Sequence, residues 1–126
     1  MPNDCWSELT ITADEVELNN IFDIEFKQIP EWAISINVRK PKGAIIRLWS
    51  PWEPNFNRLK QIIQKYKTSW IKNIWKEEGG TAGVWIGTYR GGVEHIKELR
   101  WDDLSIEEEN HRFYLDIEAP VQKTMN

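Results

Sequence analysis

The chain has 126 residues and a mass of 15.0 kDa, which predicts one compact domain, because domains most often contain roughly 100–150 residues. Hydrophobic residues make up 40% and charged residues 29%, a balance that excludes collagen-like, low-complexity and wholly disordered chains. The net charge is −4, but acids dominate residues 1–31 and 94–118 while bases dominate residues 39–76, which predicts either solvated faces of opposite sign or surfaces that attract an oppositely charged partner.

The sequence lacks the features that are typical of secreted proteins and of membrane proteins. Cys5 is the only cysteine and cannot form an internal disulfide, and no Asn-x-Ser/Thr glycosylation site is present. The N-terminus MPNDCWSELT has neither a basic start nor an apolar stretch, and no apolar run approaches the roughly 20 residues that cross a bilayer. We therefore expect a cytoplasmic protein with no membrane contact.

The first half of the chain predicts a strand, a helix and a hairpin. Residues 5–13 alternate between apolar and polar side chains, which is typical of a strand with one buried face. Asp14 followed by Glu17 resembles a capping box, and the helix it begins should end before Ile29 and Pro30. Residues 32–39 alternate again, and the turn at 40–43 leads into a third strand over residues 44–49.

The second half predicts one further helix and three meandering strands. Pro54 suits the first turn of a helix whose apolar face is Phe56, Leu59, Ile62, Ile63 and Tyr66. Strands follow over residues 69–77, 82–89 and 93–101, separated by glycine turns. Asp102 predicts a short capped turn through Glu109, residues 111–117 form a weak extended segment, and residues 119–126 form a flexible tail outside a single domain of residues 1–118.

This order predicts the α+β class, and within it a ferredoxin-like split β-α-β sandwich. Two helices would cover one face of an antiparallel sheet, and the last two strands would form an added C-terminal β-hairpin. If the apolar positions of the strands face the helices, then Trp6, Ser35, Asn37, Arg39, Arg47 and Trp49 face outward. The hairpin could then lie across that outward face.

Four stretches that together extend over most of residues 1–109 are MPNDCWSELTITA, IIRLWSPWEPNFNRLKQIIQKY, WKEEGGTAGVWIG and WDDLSIEEE. In their order and spacing they resemble the YubB-type ferredoxin-like family of plasmids, phages and large DNA viruses. Asp4 and Trp52 depart from the family pattern, and residues 23–40 match poorly. The resemblance implies the fold and a mobile-element or viral source, and it brings no catalytic residue with it.

Motifs for cofactors, metals and catalysis are weak. The glycine-rich segment 79–87 lacks a Gly-Lys-Ser/Thr ending and a following helix, so it predicts strand glycines on which the Trp85 indole lies flat rather than a phosphate loop. His95 and His111 have no partner cysteine or histidine nearby, and the acids at 102–103 and 107–109 lack a calcium-loop pattern. We expect no cofactor, no metal and no enzymatic activity.

The eight tryptophans are the main indication of function. Trp85 and Trp101 are interpreted as structural, Trp32 as part of an apolar strand face, and alternation does not place Trp70 or Trp75. Tryptophan and arginine are enriched at interface hot spots, so the favoured hypothesis is protein–protein interaction through the open sheet face, with a host protein or a second copy as partner. Its predicted residues are Trp6, Arg39, Arg47, Trp49 and Trp52.

The alternative hypothesis is single-stranded nucleic-acid binding, since exposed aromatics on such sheets stack bases. The basic residues that would serve this function are Arg58, Lys60, Lys65 and Lys67. Against it, the third strand lacks aromatics at the stacking positions of RNA-recognition domains.

Overall fold

The computed structural model describes residues 3–101 of the chain, with the backbone alone at Trp101. These residues form six strands and two α-helices. The strands are β1 (Asp4–Thr12), β2 (Ile34–Lys40), β3 (Gly43–Pro51), β4 (Trp70–Glu77), β5 (Ala82–Arg90) and β6 (Val93–Trp101). The helices are α1 (Glu15–Asn20), which continues through a π turn (Ile21–Glu25) and a 3-10 turn (Phe26–Gln28), and α2 (Phe56–Lys65); a further 3-10 turn (Glu31–Ala33) precedes β2.

The six strands form one open sheet in the order β2-β3-β1-β4-β5-β6, and every neighbouring pair is antiparallel. This confirms the predicted α+β class and is compatible with a ferredoxin-like fold. Strand β5 pairs with β4 from Trp70 to Lys76 and β6 pairs with β5, so this hairpin extends the sheet sideways. It does not lie across the outward face.

Helix α1 begins where the sequence predicts, but half of its capping box is used differently. Oδ1 of Asp14 accepts a hydrogen bond from the backbone N–H of Glu17 at 2.9 Å, as an N-cap should. The Glu17 carboxylate accepts from the backbone N–H and the hydroxyl of Thr68 at 3.0 and 2.7 Å. The hydroxyl oxygen of Thr68 in turn accepts from the backbone N–H of Asp14 at 3.0 Å. The cap therefore ties α1 to the segment that precedes β4.

Helix α2 presents its predicted apolar side to the sheet. Asn55 is its N-cap and accepts from the backbone N–H of Arg58 at 3.1 Å, so Pro54 lies before the cap rather than in the first turn. Leu59, Ile62 and Ile63 are buried, each at most 3% exposed. Burying three such side chains contributes several kcal/mol, at roughly 1.5–3 kcal/mol each.

One core fills the space between the helices and one face of the sheet. The strand side chains that point toward the helices supply the sheet side of the core. Residues of α1, of its continuation and of α2 supply the helix side. The main strand members are Leu9, Ile11, Ile46, Ile71 and Trp85, and the main helix members are Leu18, Ile21, Phe22, Phe26, Leu59, Ile62, Ile63 and Tyr66.

A β-bulge in β2 makes part of the predicted face assignment wrong. The register with β3 shifts between Ile36, which pairs with Ile46, and Val38, which pairs with Ile45. One extra residue in a strand moves every later side chain to the other face. Val38 therefore leaves the helix-covered face, and Arg39 moves onto it.

Some predictions fall beyond the described residues. The capped turn at 102–109, the segment at 111–117, the C-terminal end of the domain at 118 and the tail at 119–126 lie outside them. Within residues 3–101, no helix is both long and apolar enough to cross a membrane.

Candidate functional site

The strand glycines are explained by the two indoles that lie against them. An added Cβ at Gly87 would stand 2.4 Å from Cη2 of Trp85, and one at Gly83 would stand 2.7 Å from the ring of Trp75 and 2.6 Å from the carbonyl oxygen of Leu99. The predicted contact with Trp85 is present at Gly87, but Gly83 lies against Trp75, so its predicted contact with Trp85 is wrong. Gly83 and Gly87 therefore make room for two buried indoles.

Clustered metal ligands are absent from residues 3–101, where no three His, Cys, Asp or Glu side chains come together. Cys5 is fully buried on β1. Burial, together with the nearby carboxylates of Glu77 and Glu53, raises the pKa of its thiol from 9.0 to about 11, although a hydrogen bond with Ser50 works against this rise. A thiol held neutral at physiological pH is a poor nucleophile and a poor metal ligand.

The most exposed aromatic surface lies where β3 ends and β2 begins. There Trp32 and Trp49 place their ring centroids 4.8 Å apart with an interplanar angle of 52°. The other residues that line their cavity of about 340 Å³ are Ile29, Pro30, Ala33, Ser50, Pro51, Glu53, Asn55 and Arg58. We call this cavity, with its ten lining residues, the tryptophan cleft.

Trp32 departs from its predicted role. It was expected on the apolar face of a strand beginning at residue 32, but β2 begins only at Ile34. Trp32 lies instead in the 3-10 turn that precedes the strand, and 67% of it is exposed. An indole with two-thirds of its surface in water contributes little to the core, so its exposure needs another explanation.

Trp49 is held in place by a hydrogen bond as well as by packing. Its Nε1–H donates to Oδ1 of Asp4 at 2.7 Å, and the side chain is partly buried against the core. The Asp4 carboxylate therefore orients the ring that faces Trp32. One wall of the tryptophan cleft is rigid.

Trp52 stands beside the tryptophan cleft in an unusual backbone conformation. Its φ is 66°, the only positive φ among the described non-glycine residues, and it is 57% exposed. Its backbone N–H donates to the carbonyl of Asn3 at 2.9 Å. Left-handed backbone is costly for a bulky residue and is found most often at functional sites.

Trp6 and Arg47 meet on the outward face as predicted. The Arg47 guanidinium lies 4.6 Å from the centroid of the Trp6 ring, and Trp6 pairs in register with Trp49 on the neighbouring strand. Together with Lys76, Asn37, Glu8 and Ile74 they line a shallow groove of about 260 Å³. We call this second surface the cationic groove.

Arg39 does not join these residues. Because of the β-bulge it lies on the helix-covered face, with its guanidinium 3.9 Å from the Phe22 ring centroid and a hydrogen bond of 2.6 Å to Oδ1 of Asn19. The predicted five-residue patch thus separates into three places: Trp6 and Arg47 in the cationic groove, Trp49 and Trp52 at the tryptophan cleft, and Arg39 over α1.

The basic residues of the alternative hypothesis lie along α2 and just beyond it, and three of them contact groups of the protein itself. Lys65 forms a salt bridge with Glu25 at 2.9 Å, and Lys60 lies 4.0 Å from Glu94. Lys67 lies 3.6 Å from the Tyr89 ring centroid, and Arg58 lines the tryptophan cleft.

The segregated charges of the sequence are thus partly paired within the fold. Lys65 and Lys60 belong to the basic block, while Glu25 and Glu94 belong to the two acidic blocks. The hydrogen bond that Lys65 donates to Glu25 raises the pKa of the Lys65 ammonium group. Burial alone would raise the pKa of Glu25, but hydrogen bonds from Tyr66 and Lys65 hold it below its usual value.

The two tryptophans that alternation could not place lie on opposite faces of β4. Trp75 pairs with Ser7 on the helix-covered face, and Trp70 pairs with Thr12 on the outward face. Trp70, Ala82, Val84 and Ile86 are all buried although they belong to the outward face. The outward face is accessible over β2, β3, β1 and the end of β4, where the cationic groove lies, and again over β6, where His95, Lys97 and Leu99 are exposed.

The tryptophan cleft contains residues that sequence reasoning missed, namely Ile29, Pro30, Trp32 and Pro51. The available signal was the pair of prolines, since Pro30 and Pro51 mark where the chain cannot continue a sheet ladder. For a tryptophan two residues after such a proline, the alternation of apolar residues is therefore weaker evidence of a strand than it is elsewhere. Nothing in the sequence alone brings positions 32 and 49 into ring contact.

No family model, no curated protein and no solved structure matches the chain in our comparisons. The resemblance to the YubB-type family stays a prediction.

Proposed function

We propose that this protein is a non-enzymatic binding protein that captures a protein partner at the tryptophan cleft, beside the open face of its sheet. The observation that carries the proposal is the Trp32–Trp49 pair, in which a partly buried indole hydrogen-bonded to Asp4 faces one that is 67% exposed. Tryptophan is the residue most enriched at interface hot spots, and burying its exposed area supplies affinity at little cost in side-chain entropy.

The lining of the tryptophan cleft favours an apolar, extended segment of the partner. Four tryptophan or proline side chains and Ile29 supply apolar walls, while Arg58 and Glu53 supply two charges of opposite sign. Aromatic-lined grooves of this kind accept apolar or proline-containing peptides, because such segments lose little entropy on binding. Because Arg58 and Glu53 carry opposite charges, the cleft favours neither a strongly acidic nor a strongly basic segment.

The backbone of Trp52 gives independent support for a binding role. A glycine at this position would adopt a φ of 66° without a steric penalty. Retaining a large exposed indole there costs stability, and such a cost is typical of residues kept for function. We assign Trp52 to the rim of the binding surface.

We further propose the finer fold assignment, a ferredoxin-like split β-α-β arrangement with a plasmid, phage or viral source as the family resemblance implies. It is supported by the position of β1 between β3 and β4, with one helix in each connection from β1 to β2 and from β3 to β4. In this account the protein is an accessory factor whose partner is a host protein or a second copy of the chain.

The proposal is tested by measuring affinity and stability on the same variants. Trp32→Ala should weaken partner capture at least tenfold, because a truncated hot spot costs about 2 kcal/mol or more in binding. Its thermal unfolding should stay close to that of the parent protein, since most of the indole is already in water. Trp52→Gly should also weaken capture while leaving stability equal or slightly higher.

The matched control is Val16→Ala on α1, which removes a side chain that is 70% exposed and lies outside the tryptophan cleft. It should bind as the parent protein does. If Trp32→Ala binds unchanged, or if it unfolds at a much lower temperature, the tryptophan cleft is not the binding surface.

A further inference from the structure

The cationic groove is a second surface that the tryptophan cleft does not explain. Its walls come from four strands, with Trp6 and Glu8 on β1, Asn37 on β2, Arg47 on β3, and Ile74 and Lys76 on β4. Asn37, Arg47 and Lys76 are exposed, and Trp6 is 39% exposed. The groove is open on the face away from the helices.

Planar groups and positive charge occur side by side in this groove. Trp6 pairs in register with Lys76 on one side and with Trp49 on the other, and adjacent strands are about 4.8 Å apart. The Arg47 guanidinium lies 4.6 Å from the Trp6 ring centroid, a stacked arrangement that orients both planar groups. Two cations face the single carboxylate of Glu8, so the groove favours an anion.

We propose that the cationic groove binds a short stretch of single-stranded nucleic acid. A nucleotide carries a flat base that can stack on the indole or on the guanidinium, and a phosphate that Arg47 and Lys76 can neutralise. An acidic peptide would use the charges but gain nothing from the indole. The combination of ring and charge therefore favours the nucleic acid over the peptide.

This inference does not depend on the tryptophan cleft, and it uses other residues than the basic positions along α2. Those positions supply a matched control of equal charge. Lys60→Ala/Lys67→Ala removes two positive charges from the side of α2, whereas Arg47→Ala/Lys76→Ala removes two from the groove. Only Arg47→Ala/Lys76→Ala should lower the part of the affinity that comes from contacts with phosphate groups.

The experiment is a titration of a fluorescently labelled oligothymidylate with the full chain, followed by anisotropy over a series of salt concentrations. Arg47→Ala/Lys76→Ala should weaken binding at least tenfold and reduce the slope of log K against log salt by about 1.4, at about 0.7 per phosphate contact. Lys60→Ala/Lys67→Ala should change affinity less than about threefold. Trp6→Leu should weaken binding roughly tenfold, while Trp6→Phe should retain most of it.

Thermal unfolding of each variant separates loss of binding from loss of fold. If a groove variant fails to fold, ¹⁹F NMR of the parent protein labelled with 5-fluorotryptophan gives the same test, because the Trp6 signal should shift on adding the oligonucleotide while that of buried Trp85 should not. The proposal is overturned if the parent protein does not bind at low salt, if both double variants lose equal affinity, or if a poly-glutamate peptide binds as tightly as the oligonucleotide.

Discussion

The strand glycine beneath Trp85 provides the sharpest test of the packing. In Gly87→Ala the new methyl group would stand 2.4 Å from Cη2, 2.8 Å from Cζ3 and 3.0 Å from Cζ2 of Trp85. Ordinary carbon contacts are about 3.5–4.0 Å, so the ring has to move by about 1 Å or more. Trp85 is only 2% exposed, which leaves it no solvent-filled space to enter.

The expected cost is that of overpacking a well-filled core. Extra methyl groups in such positions destabilise proteins by about 1–3 kcal/mol, and we expect Gly87→Ala to cost at least the middle of that range, about 2 kcal/mol. Gly43→Ala is the matched control, because its new Cβ would lie 3.6 Å from the carbonyl oxygen of Ile11. That variant should be unchanged or more stable by up to about 1 kcal/mol, since alanine restricts the unfolded chain.

Urea unfolding followed by tryptophan fluorescence measures both variants. A double-mutant cycle with Trp85→Leu isolates the contact, because Gly87→Ala should cost much less once the indole is gone. The reasoning is refuted if Gly87→Ala is as stable as Gly43→Ala, or if its cost is the same with leucine at position 85.

Three further predictions concern single groups. The thiol of Cys5, with its pKa raised to about 11, should react with iodoacetamide at pH 8 roughly 100-fold more slowly than a free thiol, or more slowly still. Because the pKa of this thiol is 9.0 in the unfolded chain and about 11 in the folded one, the free energy of unfolding should also fall as the pH rises between these values. A Cys5→Ala variant should lack that part of the fall. Asp14→Ala removes the N-cap bond to Glu17 and should cost about 1 kcal/mol in chemical unfolding, whereas Asp14→Asn should cost little. Tyr66→Phe removes the 2.7 Å hydrogen bond to the Glu25 carboxylate and should cost about 1.5 kcal/mol at pH 7; an equal cost at pH 2, where that carboxylate is protonated, would contradict the assignment.

Much of the fold follows from local patterns in the sequence. The alternation of β1 places Leu9 and Ile11 in the core, and the apolar spacing of α2 places Leu59 and Ile62 there too. Both patterns repeat at the period of their element over most of its length. Strand β6 is observed at its predicted bounds, because glycine turns mark its start.

The errors arise where the fold depends on contacts between distant segments. The β-bulge that exchanges the faces of Val38 and Arg39 is a feature of pairing with β3, and the residues of β2 alone continue to alternate. The tryptophan cleft forms because the chain after Pro30 and the end of β3 meet in space. Of the five predicted patch residues, only Arg39 lies away from both surfaces, whereas Trp32, which is 67% exposed in the tryptophan cleft, was not among the predicted residues.

The most direct test of the central claim is photocrosslinking at the tryptophan cleft. p-Benzoylphenylalanine is placed at position 32 in one protein and at position 16 of α1 in another, since Val16 is similarly exposed at 70% against 67% for Trp32. After irradiation in the lysate of the organism that encodes the chain, position 32 should give one discrete protein adduct, and position 16 should not. The same adduct from both positions, or none from position 32, would contradict the assignment of the tryptophan cleft as the surface that captures a protein partner.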